Sequence, residues 1–439
     1  MLLPVAAAPG PRHVPVLGRL LDFLGNEPYD LIYRYTRDHG DFLSFKVLTQ
    51  RLVVVNTPAL IRPVVEDVET FEKGVPNPAV GPIVGESIFA GNRPTWTVGR
   101  EHHPYARDYA AKAFAGMVPA MVRVCRAHLA AAAAATGPED LYPRLIRMLY
   151  DVFCTNVIGQ TTDEPMYKDY LRVIREVTFR VTTQGITIDP FFWRVLARWN
   201  RQIAAFIDAR RQAAPAEGPP VDALAFVMRH GTALSPTALR DEVSTMLLGG
   251  IHPVGTALSA ALHNLSRFPA AARPVVDEAR AFAAGLRGRD ATADEYLALP
   301  HLDRFIDESM RLAPPVHIIS RRVKDGRVAV VNGHQLEAGT EVIYAPFAVH
   351  RNPTLWPDPL EFRPDRFLSE PEPFTYLPFG LGERTCMGRP YARLCLRVVI
   401  ATLLSAYDLA VDASKPLATA SGPLILVPKH PLVGRITRV

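Results

Sequence analysis

The stretch that most constrains this chain is Phe379-Gly380-Leu381-Gly382-Glu383-Arg384-Thr385-Cys386-Met387-Gly388. One cysteine sits inside a glycine-rich loop, and the run from Arg389 to Ala406 that follows has helical character. Glycines open backbone conformations that side chains forbid, so such a loop can turn tightly beneath a bulky flat group. A cysteine just ahead of a helix has its thiolate favoured by the positive helix N-terminus, and backbone N–H groups can point at the sulfur. That suits a metal ligand whose basicity is held in check. A lone cysteine beside a turn is more often a buried structural thiol, and on these residues alone both readings stand.

Composition narrows the field. The chain has 439 residues, 48% of them hydrophobic and 21% charged, which describes a globular protein with a large core. A net charge of +5, without long basic runs, argues against a nucleic-acid partner. The four cysteines, Cys125, Cys154, Cys386 and Cys395, are too few and too irregularly spaced for a disulfide framework or a zinc site. Prolines interrupt the mildly apolar start within four residues, so residues 1–20 read as a Pro-rich segment without a signal peptide or membrane anchor. A cytoplasmic location is expected.

Residues Asp41 to Asn56 form two β-branched and aromatic runs around a polar turn, a hairpin. Thr57-Pro58 opens a helix to about Asp67, and Lys73 to Val98, dense in Gly and Pro, reads as a long functional loop. Ala-rich helices run to about Asn200 with a break at Thr187–Trp193; Leu297 to Leu312 is another helix. Val328 to Val349 returns to strand-like runs around an Asn332-Gly333 turn. The expectation is a mainly α protein with small β-sheets, in a single domain over residues 1–439.

The pattern Phe-x-x-Gly-x-Arg-x-Cys-x-Gly resembles the haem-binding loop of the cytochrome P450 superfamily and matches it at every fixed position. Other segments match the same family in order. Glu308-Ser309-Met310-Arg311 looks like its Glu-x-x-Arg element, and Phe362-Arg363-Pro364-Asp365-Arg366-Phe367 like the partner segment, with Arg366 completing a Glu-Arg-Arg cluster. His103 and Arg107, at i, i+4 spacing with Phe114 seven residues on, resemble the bacterial His-x-x-x-Arg pattern. Trp96 and Arg100 offer the same spacing, and a solvated polar face is the plain alternative.

The resemblance implies the cytochrome P450 fold and haem b, with Cys386 as axial thiolate. It implies Arg384, Arg321 (with Arg322 as the fallback) and the pair His103–Arg107 as propionate partners. Phe379 would shield the sulfur, and Gly388 closes the motif. His350 can reach the haem edge or serve as a core hydrogen-bonding histidine. Arg389, Arg393 and Arg397, four residues apart, read as a basic stripe: either ordinary solvated charge or the docking face for a ferredoxin-type redox partner.

The chain departs from the family at one place. Asp241 to Leu262 reads as a long apolar helix containing Leu248-Gly249-Gly250-Ile251-His252-Pro253-Val254. Family members that activate dioxygen usually carry an acid and a threonine where this chain has His252 and Pro253. Pro253 cannot donate its N–H to the carbonyl of Gly249, so a kink is expected, and Gly249 and Gly250 would admit a ligand to the backbone. His252 can shuttle a proton in place of the acid, or merely hydrogen-bond. The expected activity is oxidation of a mostly apolar small molecule by a soluble bacterial-type monooxygenase of secondary metabolism, on a terpene, polyketide or lipid-like substrate. Two alternatives are an enzyme using peroxide or rearranging its substrate without dioxygen, and a non-catalytic haem or ligand binder.

Overall fold

The computed structural model describes residues 2–12, 17–74, 77–85, 87–89, 110–182, 186–213, 221–229, 234–421 and 425–439. They fall into two compact units, each drawn from separate stretches of chain: Met1–Val75, Asp307–Cys386 and Thr419–Val427 in one, and Pro76–Ile306, Met387–Ala418 and Pro428–Val439 in the other.

The first unit is built on a five-stranded sheet. Its strands are β1 (Phe42–Val47), β2 (Gln50–Val55), β3 (Phe71–Lys73), β4 (Ile319–Val323) and β5 (Glu341–Tyr344), in the spatial order β1-β2-β5-β4-β3. The expected hairpin is present, with Phe42 opposite Val55 and Val47 opposite Gln50 across a two-residue turn. Alternation along a strand sends neighbours to opposite faces. Val53 and Val55 therefore join Phe42, Val342 and Tyr344 in one core, while Val54 joins Leu43, Phe45 and Ile343 in another. Both faces of the sheet are covered.

Beyond β4, Ala329–Val331 and His334–Leu336 pair around Asn332 and Gly333, whose φ values of 51° and 72° suit the asparagine–glycine turn. The strand-like reading of Val328 to Val349 fails only at its end. Pro346, with its fixed φ, opens a helical turn at Pro346–Val349. The segment read as one loop from Lys73 to Val98 contains a short helix, Asn77–Val84.

The second unit is helical. Its main helices are α1 (Ala110–Ala133), α2 (Leu141–Ile158), α3 (Glu164–Thr182), α4 (Phe192–Gln212), α5 (Pro236–Arg267), α6 (Pro269–Gly285), α7 (Pro300–Leu312, whose last residues pass into the first unit) and α8 (Arg389–Ala406). The longest, α5, starts on a Ser235 cap whose hydroxyl accepts the Ala238 N–H, with Pro236 at the first position. It is long and apolar enough to cross a membrane, yet 67% of that window is buried inside the protein. Its apolar residues pack along α2 and α4, as a core helix does.

The first unit is fastened by ionic and polar contacts around the end of α7. Arg311 and Glu308, both fully buried, meet in a two-pronged ion pair of 2.7 and 2.9 Å. The remaining Arg311 N–H groups go to the carbonyls of His350, Pro359 and Glu361. All five guanidinium donors are thereby used. Glu308 also accepts the Arg363 N–H at 2.7 Å and lies 3.4 Å from the Arg366 guanidinium, completing the expected cluster.

His350 is a core histidine. Its Nδ1 lies 3.0 Å from the Arg311 carbonyl, and its Nε2 accepts the Leu377 N–H at 2.8 Å. This requires the neutral Nδ1–H tautomer, and burial holds the ring down at a pKa of about 3.

A neutral buried imidazole makes stability depend on pH. The unfolded chain binds a proton below about 6.5, whereas the folded chain holds His350 neutral down to about 3. Its contribution is full above about pH 6.5 and is lost as pH falls toward 3. His350→Gln is expected to flatten the acid side of the stability curve by up to about 1.4 kcal/mol per pH unit. Urea titrations from pH 7 to 4 measure this; identical slopes in both proteins would refute a neutral His350.

Candidate functional site

The cysteine loop belongs to the first unit and is shaped by two glycines. Gly380 and Gly382 have φ of 70° and 66°, a region in which side chains are strained. A Cβ on Gly382 would also stand 3.1 Å from the Val65 carbonyl oxygen. With these turns made, the Cys386 N–H reaches the Phe379 carbonyl at 2.8 Å, closing the loop on itself. The Thr385 N–H and hydroxyl both bond the Gly382 carbonyl. The loop is entered at Leu377, the residue held by His350.

None of the four cysteines is in a disulfide, and Cys386 is the exposed one. Burial pushes the thiols of Cys125 and Cys154 up to about 12 and Cys395 well above its usual value. Those three are inert core residues. Cys386, being exposed, is not the buried structural thiol of the plainer reading.

A cationic cluster lies on the same unit. Lys73, at the end of β3, is directly opposite Arg321 on β4. Burial, together with the positive charges of Arg384 and Arg321, lowers the Lys73 ammonium to about 7. Arg321 is buried, with its guanidinium 5.8 Å from the Tyr344 ring centroid. Like charges directly opposite on a sheet repel, and low local dielectric magnifies the effect. Negative charge bound between them reverses the penalty. A flat macrocycle bearing two carboxylates, with a metal for the thiol, is a group that these residues fit. Lys73 is a candidate that the sequence did not reveal, because its significance depends on cross-strand register with a residue 248 positions away.

On α5 the two glycines differ. Among the described residues, a Cβ on Gly249 would meet nothing within 4 Å, so this position is open. A Cβ on Gly250 would come within 2.2 Å of Phe153 on α2. Gly250 thus serves helix packing, correcting the expectation that both glycines open the backbone. The helix runs through Pro253 without interruption. The His252 ring turns toward α2 and α3: its Nδ1 is 3.3 Å from the Tyr142 hydroxyl, and its ring lies 5.8 Å from that of Tyr170. Burial lowers it to about 4, so it is neutral at pH 7. The Thr256 hydroxyl bonds the His252 carbonyl one turn back on its own helix.

The basic stripe on α8 needs correction. Arg393 and Arg397 both pair with Asp303 of α7, and Arg397 is buried. Arg389 is exposed. A carboxylate 90 residues upstream turns most of the stripe into a helix-to-helix fastening. The candidates His103 and Arg107, like Trp96 and Arg100, lie outside the described residues.

Comparison with known proteins matches the same features. The family model described as Cytochrome P450 fits residues 8–433. Cytochrome P450 4c3 of Drosophila melanogaster is 36% identical over 222 residues, 49% of this chain and 41% of that protein. A putative cytochrome P450 135B1 of Mycobacterium tuberculosis is 30% identical over 304 residues, 65% of this chain and 61% of that protein. The chain thus spans about two fifths to three fifths of the length of such relatives. Among solved structures, a retinoic acid-bound cyanobacterial CYP120A1 superposes with a TM-score of 0.85 at 22% identity, covering all of both chains. The haem domain of cytochrome P450DA gives 0.84 at 20% identity, covering 100% of this chain and 98% of that one. At these identities the structures speak for the fold, mainly helical with small sheets. A glycine-shaped loop presenting an accessible thiol, the Glu308–Arg311–Arg366 cluster and a family match across nearly the whole sequence lead to one assignment: the chain belongs to the cytochrome P450 family, whose cofactor is a cysteine-ligated haem b.

Proposed function

We propose that this chain is a haem-thiolate monooxygenase oxidising a mostly apolar small molecule, acting as one catalytic domain over residues 1–439. The reading rests chiefly on the exposed Cys386 thiol, set in a loop of two left-handed glycines on the same unit as the cations Lys73, Arg321 and Arg384. Haem b, when bound, supplies dioxygen activation, and a thiolate ligand favours O–O cleavage.

This chain's residues take the remaining roles. Cys386 holds the iron, its backbone N–H anchored on the Phe379 carbonyl, and Phe379 screens the sulfur. Gly388 lets the chain pass from the loop into α8. Lys73, Arg321 and Arg384 hold the propionates through charge-assisted contacts, with His103 and Arg107 as further partners. Gly249 gives the substrate space beside α5, with Gly250 and Pro253 setting the shape of that helix. His252, neutral and bonded to Tyr142, is the group on α5 able to hold or pass a proton. Electrons come from a ferredoxin-type partner that meets the exposed Arg389 end of α8, in a cytoplasmic setting. A long apolar substrate of terpene, polyketide or lipid type agrees with the retinoic acid-bound relative. A place in bacterial secondary metabolism goes with it.

One observation favours a second reading. Pro253 stands at the usual alcohol position, and His252 turns toward Tyr142. The side chains usual for proton delivery would then be missing from α5, which suits an enzyme using peroxide or rearranging its substrate. Assays with a ferredoxin system, NADPH and dioxygen, and in parallel with hydrogen peroxide alone, separate the two. Product that requires NADPH and dioxygen supports the monooxygenase; product from peroxide alone, or with neither oxidant, supports the second; none under any condition leaves a ligand-binding role. Restoring the alcohol with Pro253→Thr is expected to raise the yield of product per NADPH, and an unchanged ratio removes this position from proton control.

The ligand roles have their own tests. Cys386→Ser is expected to abolish the thiolate-type spectrum of the reduced carbon-monoxide complex while far-ultraviolet circular dichroism stays unchanged. A retained spectrum would exclude Cys386 as the axial ligand. Lys73→Met removes one contact to a charged group, worth about 1.5 kcal/mol or more. Haem transfer to an acceptor globin is then expected to quicken by about tenfold, and an unaltered rate would place Lys73 outside the propionate site.

A further inference from the structure

The helical unit contains a group of buried polar atoms, centred on the His252 ring, whose hydrogen-bonding needs the proposed activity does not account for. The His252 ring has one nitrogen engaged with the Tyr142 hydroxyl; its Nε2 is buried without a hydrogen-bond partner among the described residues. The hydroxyl of Tyr170, a side chain with no exposed surface, is in the same condition. So are the Thr245 hydroxyl and the side-chain carbonyl of Gln202.

These four atoms come from helices that meet around one aromatic cluster. The Tyr170 ring on α3 is nearly parallel to the His252 ring, at 15° and 5.8 Å, and lies 6.2 Å from the Trp199 ring on α4. Trp199 donates its indole N–H to Ser244 on α5 at 2.9 Å, fixing α4 against α5 at that level. Gln202 follows Trp199 by one helical turn. Thr245 follows Ser244 and precedes His252 by seven residues, two turns along the same side of α5. Tyr142 closes the group from α2.

Buried polar atoms are nearly always satisfied, because desolvation without a new hydrogen bond is costly. One such atom is a local oddity. Four along one seam, including a ring nitrogen that must be either donor or acceptor, call for a small partner that can be both. Water meets that demand, and internal waters typically take about three hydrogen bonds from such groups. We propose that His252 Nε2 and the Tyr170 hydroxyl bind internal water, in a hydrated seam between α3, α4 and α5 that extends toward Thr245 and Gln202.

The site adjoins the proline of α5. Pro253 has no N–H to give the Gly249 carbonyl, so this turn lacks one backbone bond. Water bridging His252 to Tyr170 fastens the turn to α3, and with both ring nitrogens engaged the imidazole has one orientation. This assignment is independent of the haem reading, since it concerns only atoms within the helical unit.

The test uses the full-length protein as purified. A high-resolution crystal structure of the wild type is expected to show ordered water within hydrogen-bond distance of both His252 Nε2 and the Tyr170 hydroxyl. Tyr170→Phe should expel it, lower Tm by about 2 °C or more and speed amide exchange at residues 249–256 by roughly fivefold or more. A dry hydroxyl behaves in the opposite sense, since deleting an unsatisfied buried group is neutral or stabilising. A dry seam in the wild type, or a Tm that is unchanged or raised in Tyr170→Phe, overturns the proposal. So does density there that is not water. Should the variant fail to fold, the wild-type crystal structure decides alone.

Discussion

A fully buried ion pair, Glu308 with Arg311, is the constraint on which the first unit turns. Two charges withdrawn from water are expensive, and their attraction offsets that cost only when every remaining donor and lone pair is also engaged. Arg311 meets the condition by giving its outer N–H groups to three backbone carbonyls between positions 350 and 361. One side chain therefore sets the course of a loop that has little regular structure of its own. His350 then carries the fastening onward. Its imidazole sits between the Arg311 carbonyl and the Leu377 N–H, two residues before Phe379, whose own carbonyl pins the Cys386 backbone. From α7 to the cysteine the linkage consists of hydrogen bonds to main-chain atoms, which hold position more tightly than apolar contact can.

The same unit places a second electrostatic arrangement with the opposite character. Glu308 is surrounded by enough positive charge to be stable where it lies. At Lys73 and Arg321 positive charge faces positive charge across two strands, with Arg384 adding to it. Structures tolerate such strain where a ligand relieves it, which separates a fastening cluster from a receiving one. The acid-to-base ratio within each cluster makes the distinction, and burial alone does not.

Much of this was legible in the sequence where signals are local. The loop glycines, the Glu-x-x-Arg spacing, the hairpin at Asp41–Asn56 and the Asn332–Gly333 turn each depend on a few adjacent residues, and each stands as expected. What escaped depends on partners far along the chain. Lys73 matters because β3 pairs with β4 in one register. Arg393 and Arg397 lost their apparent freedom to Asp303, and His252 found Tyr142 110 residues upstream. Gly250 looked like an opening and proved to be a contact with Phe153, since periodicity gives the spacing of a helix face but not its neighbour. A polar residue advertises chemistry in sequence; whether it acts outward or inward is decided by packing.

The uneven burial of the cysteines has a practical consequence. Three thiols are kept protonated and sealed in the core, while the fourth stands in the open on a glycine-shaped loop. Oxidation follows accessibility and thiolate character, so the oxidative ageing of this polypeptide before it acquires its prosthetic group converges on one sulfur atom. Sulfenic acid there is recoverable by a thiol; sulfinic acid is not, so damage carried that far is permanent.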